Sequence, residues 1–164
     1  MTHPEPPEPQ PKPQSPSQVD SRWYRDGLSF SCTACGNCCK SNGDYSHVYI
    51  TPPEIQILAA FLDMGEAEFQ AKHVKETDGW STLNMPGPKC EFLDESGLCS
   101  VYEARPKQCR TWPFWEENLR PGVWQGPMKE ICPGLDTGPH HTADQVDAIA
   151  KANEEWYESN GGLD

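Results

Sequence analysis

Two stretches of the chain place hydrophobic residues at the spacing of one helix face. The first follows a capping box at 51–54 that has prolines in its first turn. Its apolar positions are Ile55, Leu58, Ala59 and Leu62. The pattern predicts a helix that ends or bends at Gly65, followed by a second, more weakly periodic amphipathic helix over residues 66–75.

The second stretch predicts the last helix of the chain. Thr142 and Gln145 form another capping box, and an apolar stripe follows that ends before Gly161. The stripe contains Val146, Ile149, Ala150, Asn153, Trp156 and Tyr157. We expect the preceding His140 and His141 to form a linker.

The middle of the chain shows shorter elements. Residues 90–93 and 98–102 flank a four-residue turn and predict a short β-hairpin. The turn-forming residues at 80–88 predict a loop. Residues 105–109 predict a short helix that Pro113 ends.

Aromatic residues flank these elements on both sides. The segment 114–133 is rich in aromatic residues and proline, and we expect an irregular loop that wraps the site. Trp112, Phe114 and Trp115 are expected to shield a site or fill the core. An apolar strap precedes the first cysteine and contains Trp23, Tyr24, Leu28 and Phe30.

These elements predict a small α+β domain, mostly α-helical and irregular, with one short β-hairpin. Only 35% of the residues are hydrophobic, and 17 prolines and 13 glycines interrupt regular structure, so a small core is expected. We therefore expect bound metal to stabilise the fold. Residues 1–22 predict a disordered proline-rich tail, and residues 23–164 a single domain.

The chemistry of the chain is concentrated in its eight cysteines. Four of them fall within eight residues in the order C-x-x-C-x-x-C-C, and the other four are far apart. The eight are Cys32, Cys35, Cys38, Cys39, Cys90, Cys99, Cys109 and Cys132. Eight thiolates make two complete four-sulfur shells, which suits either two tetrahedral zinc ions or two cubane iron–sulfur clusters.

An even number of cysteines also suits disulfides, but three features disfavour them. The chain shows no secretory signal, its first four cysteines are crowded, and the vicinal pair Cys38 and Cys39 could bridge only through a strained ring. We therefore expect a reducing, cytoplasmic compartment. No apolar stretch in the sequence is long enough to cross a bilayer.

The charge of the chain excludes two classes of partner. The formal net charge is -12, with 13 basic residues against 25 acidic ones, and no two basic residues are adjacent. Nucleic acids and anionic membrane surfaces both require clustered positive charge. We therefore expect neither as a partner, and a protein that docks the proline-rich tail remains the candidate.

Four motifs together resemble a known family. They are F-x-C-x-x-C-G-x-C-C at 30–39, C-E-F-L at 90–93, G-L-C-S-V-Y-E at 97–103 and R-P-x-x-C-R-x-x-P at 105–113. In order and spacing they resemble the CxxCxxCC, or YkgJ-like, cysteine-cluster family. Its members are described as zinc- or iron-chelating and are related to the cysteine-rich part of flagellin lysine N-methylases. The resemblance implies that the cysteines are metal ligands, with Cys132 completing the set.

The spacing of the first cysteines bears on the kind of metal. Zinc sites usually draw two ligands from each of two loops, whereas a C-x-x-C-x-x-C run that gives three ligands to one centre is typical of cubane clusters. We therefore expect iron–sulfur in preference to zinc. Cys32, Cys35 and Cys38 would share one cluster with a remote cysteine, and Cys39 would join three distal cysteines around a second. A single cluster with a free reactive thiol is a further alternative.

Two arginines are candidates for cofactor binding. Arg105 and Arg110 lie on the segment of Cys109, where a guanidinium can donate N–H bonds toward sulfur and offset its negative charge. An ion pair on the helix surface with Glu103 or a neighbouring acid is the alternative role for these side chains.

Three functions are compatible with these residues. The first is a metal-binding protein that acts in electron transfer or in metal or cluster handling. The second, by analogy with the flagellin methylases, is a metal-dependent enzyme. The third is an interaction adaptor that uses the proline-rich tail. No residue pattern assigns catalytic groups.

Overall fold

The computed structural model describes residues 21–40, 47–85 and 87–161. Residues 1–20 of the predicted tail therefore lie outside the described residues. Arg22, the last residue of that tail, forms ion pairs with Asp144 and Asp147 near the C-terminus.

The described residues form five α-helices and four β-strands, which confirms the predicted α+β class. In chain order they are β1 (Leu28–Phe30), α1 (Pro52–Phe61), α2 (Glu66–His73), β2 (Val74–Thr77), β3 (Trp80–Leu83), α3 (Lys107–Thr111), α4 (Pro127–Ile131), β4 (Leu135–His141) and α5 (Ala143–Ser159). Short 3-10 turns cover Asn37–Cys39 and Tyr102–Ala104. Within these residues no helix combines the length and the apolar character that a membrane span requires.

Both predicted capping boxes form. At the start of α1 the N–H and the hydroxyl of Thr51 donate to the Glu54 carboxylate at 2.9 and 2.8 Å. At the start of α5 the Gln145 N–H donates to the Thr142 hydroxyl oxygen at 3.3 Å. These bonds satisfy polar groups that a helix start leaves unpaired. Gly65 separates α1 from α2, as predicted.

A β-hairpin occupies residues 74–83, where the sequence predicted the end of a helix and a loop. α2 ends at His73, and β2 pairs antiparallel with β3. The turn residues Asp78 and Gly79 have φ angles of 51° and 81°. An Asp-Gly pair in which both φ angles are positive is typical of a two-residue hairpin turn. The prediction was wrong here because this local turn signal was overlooked.

The hairpin predicted at 90–102 is reduced to one isolated bridge, between Leu93 and Cys99. Its turn is held by the Asp94 carboxylate, which accepts two backbone N–H bonds and one hydroxyl bond at 2.7 to 2.9 Å. Because a side chain supplies these bonds, the segment closes as a tight loop instead of extending into two strands.

The two strands β1 and β4 form the second sheet, which the sequence did not predict. Leu28 lies opposite His141 and Phe30 lies opposite Leu135, with an irregular register between them. The predicted linker of two histidines is therefore wrong, since both belong to β4. The sheet fixes the start of the cysteine segment, because β1 ends two residues before Cys32.

The aromatic strap packs as expected. The Trp23 indole donates to the Leu119 carbonyl oxygen at 2.7 Å, and the Tyr24 hydroxyl donates to Asp147 at 2.8 Å. The segment 114–133 is irregular apart from α4, a short helix that the sequence did not predict. The strap therefore joins this segment to α5.

Two hydrophobic clusters form the core. The first contains Trp124 and Val146 and includes Cys132, whereas the second contains Leu58 and includes Cys90. The first cluster also contains the three aromatic residues predicted to shield a site or fill the core: Trp112, Phe114 and Trp115. Each cluster thus contributes a buried cysteine, and the cysteine loop lies between elements of both.

Candidate metal centre

The cysteine loop, residues 32–39, turns back on itself. Ala34 and Gly36 have φ angles of 55° and 68°, and the Cys39 N–H donates to the Gly36 carbonyl oxygen at 3.1 Å. A Cβ atom at Gly36 would lie 2.8 Å from Cδ1 of Leu93. Glycine is therefore required there by both its left-handed conformation and its close packing.

Two hydrogen bonds attach the cysteine loop to segments that carry distant cysteines. The Cys90 N–H donates to the Cys39 carbonyl oxygen at 2.7 Å. The Asn37 side-chain amide donates to the carbonyl oxygen of Ile131, the residue before Cys132, at 2.9 Å. The loop is thus held between the Cys90 and Cys132 segments.

Cys109 lies on α3, a five-residue helix that two side chains anchor. The Glu54 carboxylate of α1 accepts the Lys107 N–H at 2.5 Å. The Gln108 side-chain amide accepts a backbone N–H at 2.8 Å and donates to a backbone carbonyl at 3.1 Å, both within residues 47–49. A helix this short is marginal by itself, so these bonds position Cys109.

Six of the eight cysteines line one cavity of about 410 Å³. They are Cys32, Cys38, Cys39, Cys90, Cys99 and Cys109. Its other described lining residues are mainly apolar and include the cations Lys40 and Arg105 but no carboxylate. Since the chain has 25 acidic residues against 13 basic ones, a lining without acids is notable and suits a negatively charged group.

The thiols surround a space instead of a single point. All eight cysteines lie in the described residues, and none of them forms a disulfide. The sulfur atoms of Cys38 and Cys39 are 4.0 Å apart. Among the residues that the structure describes, no three Cys, His, Asp or Glu side chains converge into a site for one metal ion.

Within the vicinal pair the two thiols differ in acidity. A hydrogen bond from Cys39 lowers the pKa of Cys38 to about 7, and the charge of the Arg105 guanidinium acts in the same direction. The same hydrogen bond, together with burial, raises the pKa of Cys39. Cys38 is therefore the thiolate of the pair near neutral pH, and Cys39 is its proton donor.

The four distal thiols are held in their neutral form. Burial raises the pKa of Cys90 to about 11 and is also the largest cause of the raised pKa values of Cys99, Cys109 and Cys132. A thiol must lose its proton to become a metal ligand. Metal binding at these residues would therefore release protons.

Backbone N–H groups face three of the distal sulfurs. In each case the donor belongs to the residue two positions after the cysteine. The N–H group lowers the pKa of the thiol, whereas burial raises it. The pairs are Cys90 with Phe92, Cys99 with Val101 and Cys132 with Gly134. N–H bonds to sulfur favour the thiolate over the thiol, which is the form that binds metal.

One group of cysteines gathers around Cys39. Besides the hydrogen bond with Cys38 and burial, the charges of Cys38, Cys109 and Cys90 raise the pKa of Cys39. Besides burial, the charges of Cys90, Cys38 and Cys99 raise the pKa of Cys109. All of these cysteines line the cavity.

Cys132 lies close to Cys35 and Cys38 of the cysteine loop. Burial is the main cause of its raised pKa, and the charges of Cys35 and Cys38 add to it. Cys35 and Cys132 are also the two cysteines outside the cavity lining. The nearby Trp112 side chain lowers the pKa of Cys132 and so acts in the opposite direction.

Arg105 lies close to the thiols. Its guanidinium stacks over the Tyr102 ring with Cζ 3.4 Å from the ring centroid, and its Nε donates to the Tyr102 carbonyl oxygen at 2.6 Å. Among the causes of each shift, its positive charge lowers the pKa values of the thiols of Cys38, Cys99 and Cys109. No described carboxylate pairs with Arg105, so the alternative ion pair with Glu103 is not formed in this part of the chain.

The second candidate, Arg110, is exposed and lies outside the cavity lining. From the sequence, Trp112 was expected to shield a site or fill the core, and Lys40 was given no role in the site. Lys40 lines the cavity, and its ammonium group donates to the Asn37 side chain at 3.1 Å. Its position directly after the C-C pair was an available signal, whereas nothing local indicated that Trp112 would reach Cys132.

Comparison with known proteins places this cysteine arrangement in a described family. The model of the CxxCxxCC family, described as a "putative zinc- or iron-chelating domain", matches residues 31–133, which is more than half of the chain. The match extends from the start of the cysteine loop to the residue after Cys132. No solved structure matches the chain.

Proposed function

The chain belongs to the CxxCxxCC family of zinc- or iron-chelating domains, and we propose that it uses its eight cysteines to hold two iron–sulfur centres for electron transfer or cluster handling. The observation that carries the proposal is the set of six cysteines around one cavity of about 410 Å³. Of the other two, Cys35 lies within the cysteine loop, and Cys132 follows Ile131, whose carbonyl oxygen accepts a hydrogen bond from Asn37 of that loop.

Two hydrogen bonds of the cysteine loop support a grouping of the ligands. The Cys90 N–H donates to the Cys39 carbonyl oxygen, and the Asn37 side chain donates to the carbonyl oxygen of Ile131, the residue before Cys132. One centre would be held by Cys32, Cys35, Cys38 and Cys132, and the other by Cys39, Cys90, Cys99 and Cys109. This grouping makes Cys132 the remote fourth ligand of the C-x-x-C-x-x-C run. Of the vicinal pair, Cys38 would then ligate the first centre and Cys39 the second.

The size of the space favours a cluster over a single ion. A zinc ion is bound by four sulfurs at about 2.3 Å, which requires all four to converge on one point. Six of the described cysteines stand around a cavity of about 410 Å³, which has room for a group larger than one ion. A cubane, with metal and sulfide at alternate corners, bridges sulfurs that are further apart.

The protein's own groups fit a negatively charged centre. Bound iron–sulfur would supply one-electron redox chemistry. Arg105 and Lys40 bring positive charge to a lining that has no described carboxylate, and the backbone N–H groups of Phe92, Val101 and Gly134 face cysteine sulfurs. Both kinds of interaction stabilise thiolate charge.

The exposed position of two proposed ligands supports transfer of electrons or clusters to a partner protein. Cys32 and Cys38 are solvent-exposed, whereas Cys90 and Cys132 are buried. One side of the bound group would therefore lie close to solvent, which electron transfer or cluster transfer to another protein requires.

The test is metal analysis of protein purified without oxygen. The proposal predicts a coloured protein with about eight iron and eight sulfide per chain, the content of two cubanes. A colourless protein that holds about two zinc ions per chain would contradict the iron–sulfur assignment.

A further inference from the structure

The mouth of the cysteine cavity carries exposed apolar side chains. Among the residues that the structure describes, four large hydrophobic side chains are exposed, and two of them, Leu98 and Tyr102, line this cavity. Leu98 is 50% exposed and Tyr102 is 40% exposed. Cys32 and Cys38, two of the proposed ligands, are exposed in the same lining. Apolar surface left open around a site is typical of a surface that another protein covers.

Positive charge lies around the same opening. Lys40 is exposed and lines the cavity. The Arg105 guanidinium also lines it and stacks over the Tyr102 ring, with Cζ 3.4 Å from the ring centroid. No described carboxylate belongs to the lining, and the acids of the adjacent loop, Asp94 and Glu95, lie outside it.

A further cation stands directly opposite Lys40. Lys40 and Lys89 form an isolated antiparallel bridge, next to the hydrogen bond from the Cys90 N–H to the Cys39 carbonyl oxygen. The two lysines are therefore a non-hydrogen-bonded pair, in which Cα atoms are about 4.5 Å apart and the side chains leave the backbone on the same side. Like charges in this position destabilise a protein.

The chain supplies no described carboxylate to Lys89. This lysine is exposed, and none of the ion pairs formed within the described residues includes it. The juxtaposition with Lys40 occurs in a chain that has 25 acidic residues and only 13 basic ones. Two facing lysines beside the cavity are therefore suited to anions that come from another molecule.

We propose that the mouth of the cavity is a docking surface for a small acidic protein. Its carboxylates would contact Lys40, Lys89 and Arg105, and its apolar centre would cover Leu98 and Tyr102. The net charge of -12 favours a protein over a polyanion such as a nucleic acid, because a protein can confine its carboxylates to the facing patch. The inference rests on the proposed function in one respect, since docking here places the partner beside the exposed ligands of the proposed centres.

The experiment measures binding of the metal-loaded, full-length protein to a ferredoxin of net negative charge, which is a small acidic electron carrier. Binding is measured at about 10 mM ionic strength, because salt screens contacts between exposed charges. The same ferredoxin with its carboxylates converted to neutral amides is the control probe. Metal and sulfide content is determined for the wild-type protein and for every variant.

Two variants are each compared with a matched control. Lys89→Glu reverses one charge of the docking surface, and Lys151→Glu makes the same change at an exposed lysine that lines a separate surface depression. Leu98→Ala removes exposed apolar surface from the mouth of the cavity. Ile57→Ala makes an equivalent change on α1, where Ile57 is 49% exposed.

Both charge and apolar surface should contribute to binding. Lys89→Glu should raise the dissociation constant by about tenfold and Leu98→Ala by about fivefold, whereas each control should change it by less than about twofold. Raising the salt concentration to about 500 mM should weaken binding of the wild-type protein by more than about tenfold. The amidated ferredoxin should bind no more tightly than the acidic one does at high salt.

Three results would overturn the proposal. They are a lack of binding to the acidic ferredoxin at low salt, equal weakening in each variant and its control, and self-association of the protein that Lys89→Glu abolishes. The last result would assign the surface to a second copy of the chain. A protein that holds zinc alone but still binds the ferredoxin through Lys89 and Leu98 would support the docking surface and contradict the iron–sulfur centres only.

Discussion

The Cys90 backbone N–H donates to the carbonyl oxygen of Cys39 at 2.7 Å, so two cysteines far apart in the chain are joined through their main chains. The bond draws Cys39 toward the second core cluster, against which it packs. Cys35, in contrast, acts electrostatically on Cys132 of the first cluster. The cysteine loop is therefore shared between two sides of the molecule.

This division predicts which ligands are lost together. Cys35→Ser and Cys132→Ser should each remove one centre, and Cys39→Ser and Cys109→Ser should each remove the other, because one lost thiolate leaves a shell of three. Iron and sulfide analysis should find about half of the wild-type content in each single variant.

The double variants provide the control for this grouping. Cys35→Ser with Cys132→Ser should still retain about half of the metal, whereas Cys35→Ser with Cys109→Ser should retain almost none. Equal losses in the two double variants would show that the ligands are grouped differently.

The vicinal pair predicts a pH dependence in the metal-free protein. The hydrogen bond from Cys39 lowers the pKa of Cys38 to about 7, so the Cys38 thiolate should dominate above that pH, whereas burial raises the pKa of Cys90 to about 11. Alkylation followed by mass spectrometry should therefore modify Cys38 first, with a rate that rises through pH 7.

Two substitutions at Cys39 identify the cause of this reactivity. Cys39→Ala removes the donor, so the pKa of Cys38 should rise and its alkylation rate at pH 7 should fall by roughly tenfold. Cys39→Ser keeps a hydroxyl donor and should preserve most of the rate. Equal rates in both variants would contradict the assigned hydrogen bond.

The two arginines should differ in their effect on metal retention. Arg105 lies over Tyr102 and lowers the pKa values of nearby thiols, whereas Arg110 is exposed outside the cavity lining. Arg105→Gln should weaken metal retention by about tenfold, because a neighbouring positive charge is lost. Arg110→Gln should change it by less than about twofold.

Competition with a chelator measures this difference, and both variants remove the same formal charge. If the two substitutions weakened retention equally, the effect would come from net charge and not from the position of Arg105 at the cavity.

The carboxylate of Glu54 should contribute strongly to folding stability. It is buried, and it accepts hydrogen bonds from the N–H and hydroxyl of Thr51 and from the Lys107 N–H. Glu54→Ala leaves these donors without partners and should lower the free energy of unfolding by about 3 kcal/mol.

Urea denaturation of the metal-loaded protein measures this loss. Glu95→Ala is the control, since Glu95 is exposed, and we expect a change within about 0.5 kcal/mol. A similar small change in Glu54→Ala would show that the link between α1 and α3 does not stabilise the fold.

Local signals made part of this fold predictable. The capping boxes at Thr51 and Thr142 depend on residues three positions apart, and both helices form where the sequence placed them. The hairpin turn at Asp78 and Gly79 was equally local and could have been predicted from the same kind of signal. In each case the information lies within one turn of the chain.

Long-range contacts account for what the sequence could not supply. β4 pairs with a strand more than a hundred residues earlier, and its histidines carry no alternating apolar pattern that would predict a strand. The eight cysteines could be identified as candidate ligands from spacing and family resemblance. That Cys132 lies with Cys35 and not with Cys90 depends on packing between segments.

Native mass spectrometry of protein purified without oxygen tests the central claim most directly, because it counts the atoms bound to the intact chain. We predict a mass excess equal to two four-iron, four-sulfide clusters, with no cysteine open to alkylation in the loaded protein. A single cluster accompanied by a readily alkylated thiol, or a chain that carries zinc alone, would contradict it.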